Sequence, residues 1–223
     1  MPRGGRLLVA ASVATILAAA VPASADAAGL RPAPARRTLI QRRPADGLRP
    51  SERAELMNGA VVSRPLELDR DDGHYVGGVS YQLVRAAPQE VLAALADVSR
   101  LPAVLPRTKS ARLVTQGDGE RRVELEQGNG IVSASYTVVL RHDGPSTLRF
   151  WLDPTRPHGI RDVWGYFRVE PFDDSRCLIT VAAAVDVGPG LVRLLFESRV
   201  QRVVLDTPRH IRDYIEPRAL ATR

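Results

Sequence analysis

Apolar and polar positions along the chain follow two different periods. From His74 onward, short runs alternate. "HYVGGVSYQLVRA" places Val79, Tyr81 and Leu83 on one side of an extended segment, the period of a half-buried strand. "APQEVLAALADVSRLPAVLP" switches to helical spacing at Val91, Leu92, Leu95 and Val98. Pro88 suits its first turn, and Pro102 and Pro106 break it up. Six strand-like runs follow: "SARLVTQ", "RRVELEQ", "IVSASYTVVLRH", "TLRFWLDP", "VWGYFRVEP" and "RCLITVAAAVDV". The turn signals "GDGE", "GNG", "DGPS" and "FDDS" separate most of them, and a longer loop precedes the fifth. Upstream, "SERAELMNG" (residues 51–59) predicts a short helix with Ser51 as N-cap and Gly59 just past its end, and "AVVSRPLEL" predicts a strand. Residues 190–215 return to the helical period, with Val192, Phe196, Val200, Val203, Ile211 and Tyr214 on one stripe. Pro208 falls inside this pattern and cannot donate to the Val204 carbonyl, which predicts a kink or a second segment there.

The order is strand, helix, antiparallel meander, long helix, an α+β class. An antiparallel sheet with one apolar face has to cover that face, and only the closing helix is large enough to do it. A strongly curved sheet gripping a helix leaves space between them, and an apolar space of that kind is a small-molecule site.

The first residues do not follow either period. "MPRGGR" is a basic lead, "LLVAASVATILAAAVP" is apolar but short for a bilayer span of about 20 residues, and "ASA" at Ala23–Ala25 is a small-residue cleavage site. Residues 1–25 therefore read as a signal peptide, with Asp26 beginning a periplasmic or secreted mature chain. An uncleaved N-terminal membrane anchor is the alternative. Residues 26–50 read as a disordered Pro/Arg-rich linker, 51–217 as the domain and 218–223 as a tail. The net charge of +6 is carried almost wholly by arginine, Lys109 being the only lysine. "RPAPARRTLIQRRP" (residues 31–44) holds a concentrated share. It reads as a solvated linker, or as a basic tail able to make peripheral contact with anionic lipid. No nucleic-acid partner is expected. Cys177, the sole cysteine, excludes an intramolecular disulfide and sits in a strand-like run as a small hydrophobe.

Three stretches together resemble a known family. They are "GGVSYQLVRAAPQEVLAALADVSRLPAVLP", "GYFRVEPFDDSRCLITVAAAVD" and the long closing helix. Their order and spacing, from about Ala60 to Ile215, resemble the START/Bet v 1-like (SRPBCC) superfamily, the polyketide cyclase, lipid-transport and coenzyme Q-binding group. The resemblance implies a helix-grip fold, a curved antiparallel sheet wrapped around a long C-terminal helix with a hydrophobic cavity. Members mostly bind or carry lipids, quinones, hormones or polyketides, and a minority catalyse cyclisation or dehydration. Many members carry an aromatic pair where this chain reads "SRLPAVLP", which implies a differently shaped cavity mouth.

Alternation then selects the candidate ligand-binding residues. These are Tyr136 and Val138, Phe150, Gly165 and Phe167, and Val181 and Ala183 on successive strands, with Phe196, Val200 and Val203 on the helix. Gly165 facing inward predicts room for a ligand or for the helix. Trp164, Tyr166, Arg168 and Glu170 alternate to the wet face. The loop "DPTRPHGIRD" offers Arg156, His158, Arg161 and Asp162 as a polar rim, able to hold an anionic head or to act as acid and base. Structural salt bridges are the plainer reading. The histidines show no metal-ligand spacing, and no phosphate loop, dinucleotide fingerprint or nucleophile elbow occurs, so no metal, cofactor or catalytic residue is assigned. The sequence thus predicts an exported binding or carrier protein for a hydrophobic small molecule. A polyketide cyclase or dehydratase using the 153–162 loop, and a scaffold with a filled core, are the alternatives, and catalysis is left open.

Overall fold

The computed structural model describes residues 47–70, 73–128, 133–189 and 191–221. The stretch read above as a signal peptide and most of the expected linker lie outside them. Helix α1 (Pro50–Met57) precedes β1 (Val62–Arg70) and β2 (Gly73–Val84). Helix α2 (Pro88–Ala96), one 3-10 turn (Val98–Arg100) and α3 (Leu101–Val104) follow. Then come β3 (Thr108–Gly117), β4 (Glu120–Gly128), β5 (Ser133–His142), β6 (Thr147–Leu152), β7 (Asp162–Pro171), β8 (Cys177–Asp186) and α4 (Leu191–Ala221). The strands form one antiparallel sheet in the order β1-β2-β8-β7-β6-β5-β4-β3, so β2 pairs with the last strand and not with β3. Helix α4 packs on β2, β8 and β1. This is the helix-grip arrangement.

Local chemistry sets the element ends. Pro50 and Pro88 each open a helix, where a missing N–H costs nothing. The Glu52 carboxylate accepts the Arg49 N–H at 2.7 Å, and Glu90 accepts the Ala87 N–H at 3.3 Å. The N-cap of α1 is therefore Arg49, not Ser51, because Pro50 fixes the helical φ one residue earlier. Leu48 also packs on the core, and Gly47 O accepts from Arg64 at 2.8 Å, so residues 47–50 belong to the fold and not to the linker. Gly59 follows α1 at φ +82°, as its position predicts.

Helix α4 runs as one element through Pro208 and on to Ala221, without a second segment and with no tail beginning at 218. The Thr207 hydroxyl donates to the Val203 carbonyl at 2.9 Å, next to the Val204 carbonyl that Pro208 leaves without an amide donor.

Two cores result. The larger lies on the concave face between sheet, α2, α3 and α4, with Val84, Val91, Val104, Leu148, Ile179 and Ile211 fully buried. The smaller lies on the convex face under α1, around Leu56, Val62, Tyr81, Leu83 and Leu178. On β7 the alternation assigns the faces correctly but not their wetness. Val163, Phe167 and Val169 are in the concave core, yet Trp164 and Tyr166 are also buried. Tyr75 packs edge-on against Trp164, and Arg168 lies over Tyr166, so convex-face neighbours exclude water from both rings. Burial pushes the Tyr166 phenol up to about 12.

Candidate functional site

Cross-strand register accounts for an open space in the concave core. Gly78 on β2, Ala183 on β8, Gly165 on β7 and Phe150 on β6 form one row across the sheet. At one end of the row Leu205 of α4 comes down on Gly78, where a methyl would stand 3.0 Å from the leucine Cδ2. At the other end the Phe150 ring swings over Gly165, where a methyl would stand 2.6 Å from Cζ. Phe150 is held there against Phe167, ring centres 5.2 Å apart. Between Leu205 and Phe150 the row carries only the methyl of Ala183. A cavity of about 110 Å³ is lined by Ala183 and Phe150 of this row, though not by Gly78, Gly165 or Leu205.

Of the residues selected by alternation, Tyr136, Val138, Phe150, Phe167, Val181, Ala183 and Val203 line this cavity. Three do not. Gly165 is not part of the wall, because the space it frees is filled by Phe150 and by the Ala182 backbone. Phe196 and Val200 are half-buried, but their part of α4 lies over the β1–β2 hairpin. There Glu197 pairs with His74, and the Gln201 amide donates to Leu66 O at 3.3 Å. The helix meets the cavity one turn later, through Val203, Val204 and Thr207.

The remaining wall comes from residues the alternation did not select. Leu95, Leu101, Leu105 and Pro106 form one side, so the "SRLPAVLP" stretch does shape this site. Leu125 and Gln127 of β4 form another. Gln127 had a legible signal. Val123, Leu125 and Gln127 alternate inward, so a polar side chain stands at a core position.

Gln127 and Tyr136 supply most of the cavity's polarity. The Tyr136 hydroxyl donates to Gln127 Oε1, Gln127 Nε2 donates to Thr108 Oγ1 at 2.8 Å, and Thr108 Oγ1 reaches Pro106 O at 3.5 Å. Burial holds the Tyr136 phenol well above its ordinary range, so it stays neutral. Thr207 spends its hydroxyl on its own helix. Among the described residues the wall contains no Asp, Glu, His, Lys, Arg or Cys.

None of the four rim residues lines the cavity. Asp153 organises the loop instead. Burial alone would raise its carboxyl, but hydrogen bonds from Thr155 (2.6 and 3.1 Å) and Arg122 (3.1 Å) outweigh this and hold it below its ordinary range. Arg156 lies 3.7 Å from Asp153, and Arg161 lies 3.6 Å from Asp186. Asp162 is buried and accepts from the Tyr75 hydroxyl and the Val163 N–H, both at 2.9 Å. His158 is exposed, with Nδ1 2.6 Å from Ile160 O. The cluster is a network of loop-fixing contacts.

Comparison with known proteins agrees with this fold. Residues 79–216 match the family described as polyketide cyclase / dehydrase and lipid transport, and the chain belongs to that family. A STAR-related lipid transfer protein from Xanthomonas axonopodis has a similar structure, at 14% identity and TM-score 0.53, with 70% of this chain and 98% of that one covered. A START superfamily protein from Mycobacterium smegmatis is similar at 16% identity and TM-score 0.52, with 68% and 100% covered. The Zhui aromatase/cyclase from Streptomyces sp. R1128 is similar at 15% identity and TM-score 0.51, with 73% and 97% covered. No curated protein matches the sequence.

Proposed function

We propose that this protein binds a hydrophobic small molecule in the cavity between Ala183, Phe150 and α4, and acts as a carrier rather than an enzyme. The observation that carries this reading is the wall itself. It is apolar apart from three neutral groups, and it brings together no acid–base pair. The names of similar structures, a lipid transfer protein and an aromatase/cyclase, are compatible with a buried apolar ligand. A cyclase working through the 153–162 loop has less support, since the polar groups of that loop are spent on one another, on the loop backbone and on Tyr75, Arg122 and Asp186 of neighbouring strands. A filled-core scaffold also has less support, because the space is there. At about 110 Å³ the cavity accepts a single ring, whereas drug-sized ligands occupy roughly 300–1,000 Å³. A lipid or polyketide therefore enters only if the α3 segment or α4 moves outward.

The "ASA" site and the apolar lead support export of the carrier to the periplasm or outside the cell. Sequencing the N-terminus of the protein from its own host tests this. Asp26 as first residue supports it, and a membrane-bound chain beginning at Met1 overturns it. Native mass spectrometry of the same material tests the binding reading. An added mass from an apolar small molecule is expected. Ligand-free protein that also fails to bind any apolar probe in titration would overturn it.

A further inference from the structure

We propose that the cavity selects a neutral, largely apolar ligand carrying one hydroxyl group, and that Tyr136 is the residue that reads the hydroxyl. This rests on the binding reading above and deepens it.

The direction of the polar chain carries the argument. Gln127 spends one amide hydrogen on Thr108, and its carbonyl oxygen receives the Tyr136 proton. The phenol proton is therefore committed to the protein, while the phenol oxygen keeps acceptor capacity. Tyr136 lines the cavity, is 7% exposed, and sits among Val138, Leu125 and Phe150. A ligand hydroxyl placed against it gains an acceptor that bulk water no longer supplies. A ligand without one leaves that oxygen dry and unmatched.

Charge is excluded from the same wall. With no cation among the described lining residues, an entering carboxylate or phosphate would be buried without a partner, which is far more costly than burying a hydroxyl. The chain Tyr136–Gln127–Thr108–Pro106 also ends at the Leu101–Pro106 side of the wall.

The test uses three single-ring probes of nearly equal size: toluene, phenol and benzoate. Each is titrated calorimetrically at pH 7 into the purified protein and into Tyr136→Phe. In the wild type, phenol is expected to bind at least as tightly as toluene, although water holds phenol far better, and benzoate at least 30-fold more weakly than phenol. Tyr136→Phe should weaken phenol by about 3–10-fold, the worth of one hydrogen bond, and bind toluene no more weakly than the wild type does. Retained toluene binding shows that the variant is folded. The wild-type comparison needs no variant at all. Toluene bound ten times more tightly than phenol, or phenol affinity unmoved in the variant, overturns the hydroxyl assignment and leaves apolar binding intact. Failure of both toluene and phenol to bind the wild type overturns the binding reading itself.

Discussion

Ala183→Leu is the sharpest probe of the open row. Ala183 stands between two glycines, with Gly78 on one flank and Gly165 on the other, and its methyl faces the cavity. Three added carbons regain about 2.4 kcal/mol if fully buried, at about 0.8 each. Fixing the leucine rotamer returns about 0.5–1 kcal/mol of that. The expected net gain is about 1–2 kcal/mol. For a domain of this size that raises the melting midpoint by about 3–6 °C. The same substitution should abolish toluene binding. Scanning calorimetry and one titration measure both effects. A midpoint lowered by several degrees would mean that Ala183 faces packed atoms. Unchanged toluene affinity in a stabilised variant would mean that the probe sits elsewhere. Either result refutes the account of the cavity.

Glu52→Gln should cost about 1–2 kcal/mol at pH 7, a figure reduced for the partial exposure of its Arg64 partner. The Arg64 hydrogen bond lowers the Glu52 carboxyl from 4.5 to about 2, so the native state binds this proton less readily than the unfolded chain. Its stabilisation is present above pH 4.5 and is lost as pH falls through about 2, and wild-type and variant urea curves should converge there. Cys177 should resist a thiol reagent at pH 8 in the native protein and react stoichiometrically in 6 M guanidinium. Burial pushes its thiol up to about 12, and rapid native labelling would contradict that burial. A chain starting at residue 47 should melt like the mature protein, whereas one starting at residue 51 should melt about 2–6 °C lower. The second loses the Leu48 packing and the start of α1. Equal midpoints would return 47–50 to the linker.

Most of the fold was legible because period and punctuation agree along the chain. All eight strands lie within or beside predicted runs, and Pro88 and Gly59 mark the ends their chemistry favours. What alternation cannot provide is the third dimension. It assigns Gly165 to the concave face but not the ring of Phe150 that lies over it. It places Phe196, Val200 and Val203 on one stripe of α4, but not the point along the helix where the sheet falls away beneath it. It separates the two faces of β7 but cannot show that Tyr75 and Arg168 shelter the convex aromatics. The wall from Leu101 to Pro106 was hidden for another reason. A segment interrupted by two prolines has no period to read, although its leucines are as apolar as those of any strand.

The pairing of β2 with β8 bears on how the protein assembles. Strands β3 to β8 can zip together as successive hairpins, each closing a short loop. Strand β2 meets β8 only across about a hundred intervening residues, as in the pair Val76 and Val185, so its loop-closure entropy is offset late. Gly78 and Ala183 become neighbours in that same step. No residue of β2 lines the cavity, but α4, which supplies Val203, Val204 and Thr207 to it, packs chiefly on β2, so the cavity is not closed in a partly assembled meander. A ligand that occupies it acts as a latch on the final closure, slowing unfolding while leaving the early hairpins to form at their own rate.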